Sequence, residues 1–93
     1  MNYIDGYVLA VPTSNREAYR VMAQDMAVVF KKHGALSVVE NWGEDVPEGK
    51  LTSFTMAVKR EASESIVFSW ITWPSRAVRD QGWKLIMEEP IMK

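Results

Sequence analysis

The chain has 93 residues, with 11 Lys and Arg against 12 Asp and Glu, so its formal charge is −1. This length fits a single domain, 1–93, and allows only a modest core because short chains bury a smaller fraction of their surface. There is no cysteine, which excludes disulfides and thiolate metal sites. The balanced charge argues against a nucleic-acid partner, since nucleic-acid-binding domains usually carry a basic face.

The hydropathy pattern argues against a membrane partner. No apolar run of about 18 residues occurs, so we expect no membrane span. The first residues, MNYIDG, lack a basic segment followed by an apolar one, which argues against a signal peptide. These features favour a cytoplasmic location.

The first predicted elements are a strand and a long helix. Residues 3–11, YIDGYVLAV, are typical of a strand, although neither of its faces is simply polar. Ser14 and Glu17 have the spacing of a capping box, and apolar residues at helical spacing continue to about His33. Gly34 suits the left-handed position that ends a helix.

A second strand and an ambiguous segment follow. Residues 35–43, ALSVVENWG, predict a strand, and the charged, Gly- and Pro-containing stretch 43–51 predicts a loop. Residues 52–60, TSFTMAVKR, alternate like a strand, yet Thr52 or Ser53 could cap a helical turn. We slightly favour a short helix or an irregular segment here.

The third strand and the last helix adjoin directly. Residues 66–73, IVFSWITW, follow a polar turn and predict a strand that is apolar on both faces, with Trp70 on one face and Trp73 on the other. Ser75 is the predicted N-cap of the helix that follows. Helices on one side of a small sheet would leave the second apolar face uncovered.

The order strand, helix, strand, uncertain piece, strand, helix predicts an α+β fold. It fits a ferredoxin-like split βαβ arrangement, with an antiparallel sheet and two helices on one face. The last strand of that arrangement is missing from the predicted elements.

Four stretches together carry a family resemblance: YIDGYVLAVP, HGALSVVENWGEDVPEGKLTSF, AVK and IVFSWITWPSRAVRD. They span Tyr3 to Asp80, and their order resembles that of the YbaA-type uncharacterised bacterial proteins, a domain-of-unknown-function family in the dimeric α/β-barrel superfamily. The resemblance implies a half-barrel that pairs with a second copy, so that each sheet buries the face its helices leave open. It implies no established activity. Two departures are the missing strand after the second helix and Gly82, which should weaken that helix by about 1 kcal/mol relative to Ala.

Polar residues interrupt the apolar strand faces at Asp5, Glu40 and Ser69. If these faces meet, they line one concave surface with two carboxylates and a hydroxyl. A buried carboxylate is costly unless it is paired, so we expect raised pKa values or Arg or Tyr partners. Asp5, Glu40 and the single histidine, His33, are therefore the candidates for catalysis.

The candidate ligand-binding residues are polar or aromatic residues on these strands and at the start of the last helix: Tyr7, Trp42, Ser69, Trp70, Trp73, Arg76 and Arg79. Structural alternatives stand beside each assignment. The tryptophans could be core, His33 could cap its helix, and Arg76 could pair with Asp80 four residues on. The carboxylates of Asp5 and Glu40 could remain solvated near strand ends or form salt bridges in a dimer.

No motif indicates a cofactor or a metal. Glu44, Asp45 and Glu48 share a loop without calcium-site spacing, and one histidine without cysteine cannot form a conventional zinc site. Two functions remain open. The first is a homodimer that binds a small apolar or acidic molecule between its sheet and its helices or partner, with catalysis undecided. The alternative is a non-catalytic dimerisation or protein-interaction module.

Overall fold

Three strands form one antiparallel sheet in the computed structural model of the chain, which describes residues 1–44, 46–47, 49 and 53–92. The strands are β1 (Tyr3–Pro12), β2 (Ser37–Trp42) and β3 (Glu64–Trp73), and β3 lies in the centre. The helices are α1 (Arg16–Lys32), the single turn α2 (Phe54–Ala57) and α3 (Arg76–Ile86). Short 3₁₀ turns occupy Thr13–Asn15 and Pro90–Met92. The predicted α+β class with an antiparallel sheet is confirmed.

The strand register brings the polar strand residues together. Both flanking strands run antiparallel to β3, and Ser69 is the partner of Tyr7 on one side and of Glu40 on the other. Asp5 is the partner of Ile71, two residues further along β3. Because side chains alternate between faces, all these residues point to the same face of the sheet.

That face is covered by α1 and α3. Phe30 of α1 lies edge-on to Trp73 at 6.4 Å between ring centroids and to Trp83 of α3 at 5.1 Å. Trp73, Ile71 and Ile86 are all but inaccessible to solvent and form the centre of the core. Two long helices on one face are therefore confirmed, and Trp73 is a core residue.

The opposite face is only partly covered. Phe54 of α2 stacks on Phe68 at 5.2 Å with an interplanar angle of 18°, and Trp70 continues this aromatic row at 5.7 Å from Phe68. Beyond this row, none of the described helices covers the face, and Ile4 is 57% exposed. The strand tryptophans thus divide as predicted, with Trp70 on this open face.

The start of α1 corrects one prediction. The chain passes through the 3₁₀ turn Thr13–Asn15, so Asn15 becomes the N-cap, and it makes no side-chain capping bond. The capping box predicted from Ser14 and Glu17 is wrong because Ser14 lies inside that turn, and Glu17 binds Arg20 instead. The predicted end of α1 is confirmed, since Gly34, just after the helix, has the left-handed φ of +111°.

The ambiguous segment contains a short helix, as the sequence slightly favoured. Ser53 caps α2, because its hydroxyl accepts a hydrogen bond from the Met56 amide at 3.1 Å. The other candidate cap, Thr52, lies outside the described residues. The following strand begins at Glu64 rather than at 66, because Glu64 pairs with Pro12 at the end of β1.

The last helix begins as predicted, with the Ser75 hydroxyl accepting from the Val78 amide at 3.2 Å. Its unusual glycine has a packing reason. A β-carbon on Gly82 would lie 2.6 Å from Cζ3 of Trp73 and 2.7 Å from the carbonyl oxygen of His33. Only glycine therefore lets α3 approach β3 and the end of α1 this closely.

Candidate functional site

The carboxylate of Glu40 is held by three hydroxyl groups from three different elements. Tyr7 of β1 donates to Oε1 at 2.7 Å, and Tyr19 of α1 donates to Oε2 at 2.7 Å. Ser69 of β3 donates to the same Oε2. The strand register explains the arrangement, because it aligns Tyr7, Ser69 and Glu40 in one row across the sheet. We call these four residues the Glu40 cluster.

The surroundings keep both phenols of the Glu40 cluster protonated. Burial raises the pKa of Tyr7 and that of Tyr19, and the hydrogen bond and negative charge of Glu40 raise both further, because a phenolate beside a carboxylate is disfavoured. Ser69 is completely buried. The cluster is therefore built of hydrogen-bond donors that converge on one carboxylate.

A cleft of about 300 Å³ opens beside the Glu40 cluster, between α1 and β2. Its lining is mostly apolar, with Glu40 as its one strand carboxylate. The small side chains of Ala23 and Ala27, one helical turn apart on α1, leave the space open. The lining residues are Arg16, Glu17, Tyr19, Arg20, Ala23, Gln24, Ala27, Val38, Glu40, Asn41, Trp42 and Val67.

Two arginines of the first turns of α1 line the same cleft. The guanidinium of Arg20 donates through Nε to both carboxylate oxygens of Glu17 at 3.1 Å. The guanidinium of Arg16 lies 5.5 Å from the centroid of the Trp42 ring, and its nearest approach to Glu44 is 3.7 Å. Two positive charges therefore line a cleft that also contains the carboxylates of Glu17 and Glu40.

The second strand carboxylate, Asp5, has different partners. The guanidinium of Arg79 donates through Nη2 to Oδ1 at 2.9 Å, and its Nε lies 3.1 Å from both oxygens. The indole N–H groups of Trp73 and Trp83 each donate to Oδ2 at 3.1 Å. Burial alone would raise the pKa of Asp5, but the donors, with Arg79 foremost, lower it below its ordinary value. We call these four residues the Asp5 cluster.

The remaining candidates lie apart from the cleft. Nε2 of His33 lies 2.7 Å from Oε1 of Glu89, and His33 is the C-cap of α1. Fourteen residues of helix separate it from Tyr19, which is about 21 Å at 1.5 Å per residue. Arg76 extends to Asp80 at 3.6 Å on the surface.

The predicted site residues thus separate into groups. Of these residues, Glu40 and Trp42 line the cleft, and Tyr7 and Ser69 bind Glu40 from behind the lining. Asp5, Trp73 and Arg79 form the other cluster. Trp70 lies on the opposite face, and His33 shares no site with either carboxylate. The expectation that the carboxylates would find Arg or Tyr partners is confirmed, but for Asp5 the pKa is lowered rather than raised.

Several residues of the cleft were not predicted. Tyr19, Arg16 and Ala23 come from α1, which the sequence marked as a packing helix. A signal for Tyr19 was present, because a tyrosine on the apolar stripe of a helix needs a polar partner for its hydroxyl when it is buried. Only the register of α1 over β2 makes Glu40 that partner.

The described part of the chain offers no metal site or membrane helix. No group of three or more His, Asp or Glu side chains among these residues could hold a metal ion. No helix in the same residues is long and apolar enough to cross a bilayer. Asp45 and Glu48 of the acidic loop lie outside the described residues.

Comparison with known proteins places the chain among uncharacterised bacterial relatives. The family model described as "Protein of unknown function (DUF1428)" matches residues 2–93. The Uncharacterized protein YbaA of Escherichia coli (strain K12) is 53% identical over 93 residues, which are 100% of this chain and 80% of that protein. The proteins of the same name from Escherichia coli O157:H7 and Shigella flexneri have the same identity and coverage. The predicted resemblance to YbaA-type proteins is confirmed.

Proposed function

Because this chain belongs to the DUF1428 family of proteins of unknown function, we propose its role from its geometry: it binds a small molecule in the cleft between α1 and β2. One observation carries the proposal. The Glu40 carboxylate, held by three hydroxyl groups, lies among the lining residues of a largely apolar cleft of about 300 Å³. Concave apolar sites with a few convergent polar groups are the usual form of small-molecule sites.

The composition of the Glu40 cluster favours recognition over mere packing. Asp5, which joins three elements, has a cation, Arg79, among its partners, and charge-assisted hydrogen bonds of this kind are the strong ones. Glu40 receives only neutral donors from the described residues, each of which must itself be correctly oriented. Binding groups held in place by such supporting hydrogen bonds are how proteins orient a bound ligand.

The chemistry available in the cleft is limited by the two phenols. Because the pKa values of Tyr7 and Tyr19 are raised, neither phenol is a base near neutral pH. Among the described lining residues, base chemistry would therefore fall to Glu40, because the other carboxylate, Glu17, is already bound by Arg20. We propose binding and assign no reaction.

A cavity-filling pair of variants tests the proposal. Ala27→Leu adds three carbon atoms inside the cleft, whereas Ala77→Leu makes the same change at an exposed position of α3. We expect NMR chemical-shift mapping with a set of neutral single-ring compounds, phenol among them, to perturb cleft residues in the native protein and in Ala77→Leu. In Ala27→Leu the affinity should fall at least tenfold. Binding that survives in Ala27→Leu, or that maps elsewhere, would refute the cleft as the site.

We further propose that the sheet is one half of a ferredoxin-like dimeric barrel. The open face supports this, because its aromatic row Phe54, Phe68 and Trp70 continues into exposed apolar residues such as Ile4. Exposed contiguous apolar surface on a small protein is typical of an interface. A second copy seated on this face would bury what α2 leaves open, while the ligand cleft stays on the other side of the sheet.

A pair of lysine variants tests the dimer. Ile4→Lys adds a charge to the open face, whereas Val28→Lys adds one to the exposed side of α1, where the native side chain is 69% exposed. Light scattering after size-exclusion chromatography should report a dimer for the native chain and for Val28→Lys, and a monomer for Ile4→Lys. A native chain that stays monomeric over a concentration series contradicts the proposal.

The second candidate function is a non-catalytic module that binds another protein through the same open face. The partial cover provided by α2 favours it, since only part of the apolar surface is left for a partner. It predicts a monomeric chain with no ligand in the cleft. The two experiments above separate it from the first proposal.

A further inference from the structure

We infer that the ligand of the cleft is a small apolar acid with a hydroxyl group at its far end. The hydroxyl would donate to Glu40, the apolar body would lie along α1, and the acid would meet Arg16. This inference rests on the proposed function and names the chemical class of its ligand. Three parts of the cleft support it separately.

On the sheet side of the cleft, Glu40 can accept one more hydrogen bond. A carboxylate offers about four lone-pair positions. Among the described residues, Tyr19 and Ser69 donate to Oε2 of Glu40, and Tyr7 donates to Oε1. One position on Oε1 is left for a ligand donor, and a hydroxyl group fits it because it donates without adding a charge.

The middle of the cleft suits a single-ring body. Val38 and Val67 contribute branched apolar walls from the sheet, and Ala23 and Ala27 contribute methyl groups from α1. Binding sites for small molecules have volumes of about 300–1,000 Å³, so this cleft is at the small end of the range. A polar body would lose its hydration here without finding partners.

Arg16 provides the site for the acid. Arg20 is already occupied, since it donates to Glu17 and also to the side chain of Gln24 at 3.2 Å. Arg16 is held over the Trp42 ring, and among the described residues its ion-pair partner is Glu44 at 3.7 Å, beyond hydrogen-bonding distance. A guanidinium without a hydrogen-bonded carboxylate partner can bind the carboxylate of a ligand through two parallel hydrogen bonds.

The spacing of these groups fits one small molecule. Arg16 and Tyr19 are three residues apart on α1, so their side chains are neighbours on one helix face with Cβ atoms about 5–6 Å apart. Tyr19 binds Glu40 directly. The cation and the carboxylate are therefore both neighbours of Tyr19 in the lining of the cleft, and a single-ring hydroxy acid could contact both.

A set of four matched compounds tests the inference by isothermal titration calorimetry: 4-hydroxybenzoate, benzoate, phenol and 4-hydroxybenzylamine. We expect 4-hydroxybenzoate to bind at least fivefold more tightly than benzoate and phenol, and the amine to bind most weakly. Arg16→Ala should weaken 4-hydroxybenzoate at least tenfold and leave phenol unchanged. Arg76→Ala, which removes a surface arginine of α3, is the matched control and should change neither affinity.

The other outcomes distinguish the two claims. If phenol or the amine binds the cleft more tightly than the acid, or if Arg16→Ala has no effect on 4-hydroxybenzoate, the ligand class is wrong while the cleft remains a binding site. The compounds are tested up to a concentration of about 10 mM, which detects even dissociation constants in the millimolar range. If none of the four compounds produces heat or chemical-shift changes in the cleft, both the ligand class and the cleft are overturned.

Discussion

Asp5 and Glu40 are carboxylates on the same face of the same sheet, yet they have opposite kinds of partner. Asp5 is bound by the guanidinium of Arg79 and by two indoles, and these join β1 to β3 and α3. Glu40 is bound by three neutral hydroxyl groups beside a cleft. Residue type and strand position do not separate the two carboxylates; their partners do.

The difference has a physical consequence for what each carboxylate can do. A carboxylate whose charge is balanced by an adjacent cation holds elements together and has little left to offer a ligand. A carboxylate that lines a cleft and whose described partners are all neutral still attracts the hydrogen-bond donors of a ligand. We therefore assign stability to the Asp5 cluster and recognition to the Glu40 cluster.

The largest effect on stability should come from removing Asp5. Asp5→Ala leaves the Arg79 charge without its main partner, and it leaves the indole N–H groups of Trp73 and Trp83 without acceptors. We expect the free energy of unfolding to fall by about 2–3 kcal/mol, because unsatisfied buried donors are costly. Urea unfolding followed by tryptophan fluorescence measures it. A loss below about 0.5 kcal/mol would show that the Asp5 cluster does not hold the fold together.

The same cluster should make stability depend on pH at the acid end. The pKa of Asp5 is lower in the folded chain than its ordinary value of 3.8, so its contribution is fully present above that value and is lost as the pH falls through the folded pKa. Unfolding in urea between pH 2 and pH 5 should show this loss in the native chain. In Asp5→Asn the slope over this range should be shallower, and an unchanged slope would contradict the assignment.

A smaller but clear effect is expected at Gly82, which lets α3 pack against the Asp5 cluster. Gly82→Ala would gain about 1 kcal/mol from helix propensity in an exposed helix. Here the new methyl group would meet Trp73 and the His33 carbonyl at under 3 Å. We expect a net loss of about 1–2 kcal/mol from overpacking. A thermal melt with a higher midpoint than the native chain would show that α3 can shift outward freely.

The smallest effect on stability should come from the Glu40 cluster. Tyr19→Phe removes one of its three donors and keeps the ring in place. We expect the free energy of unfolding to fall by at most about 1.5 kcal/mol, the low end for a hydrogen bond to a charged group, because Tyr7 and Ser69 still donate to Glu40. Affinity for phenol in the cleft should fall more than threefold. A loss of stability as large as that for Asp5→Ala would make this cluster structural as well.

Much of the fold could be predicted from local patterns. Alternation placed Val67, Ser69 and Ile71 on one face of β3, and Ser75 was recognised as a cap because its side chain acts on its own neighbours. The start of α1 could not be read in the same way. A 3₁₀ turn after Pro12 moves the N-cap from Ser14 to Asn15, and no capping box forms. Nothing local in the sequence distinguishes the two starts.

The site was harder to predict because it depends on distant pairs. Asp5 and Glu40 were recognised as polar residues on apolar strands, but Asp5 lies 74 positions before Arg79, and Glu40 lies 21 after Tyr19. Those pairings follow from where the helices cross the sheet. The sequence therefore predicted the same catalytic role for both carboxylates. It predicted that role for His33 as well, although His33 lies about 21 Å along α1 from Tyr19.

The comparison of Asp5→Asn with Glu40→Gln in one urea-unfolding series tests the account most directly. Each variant replaces a carboxylate by its amide and changes little else in shape. We predict that Asp5→Asn loses at least twice as much free energy of unfolding as Glu40→Gln. The reason is that Asp5 balances the charge of Arg79, whereas the described partners of Glu40 are neutral. Equal losses, or a larger loss for Glu40→Gln, would contradict the division between a cluster that stabilises the fold and a cluster that binds a ligand.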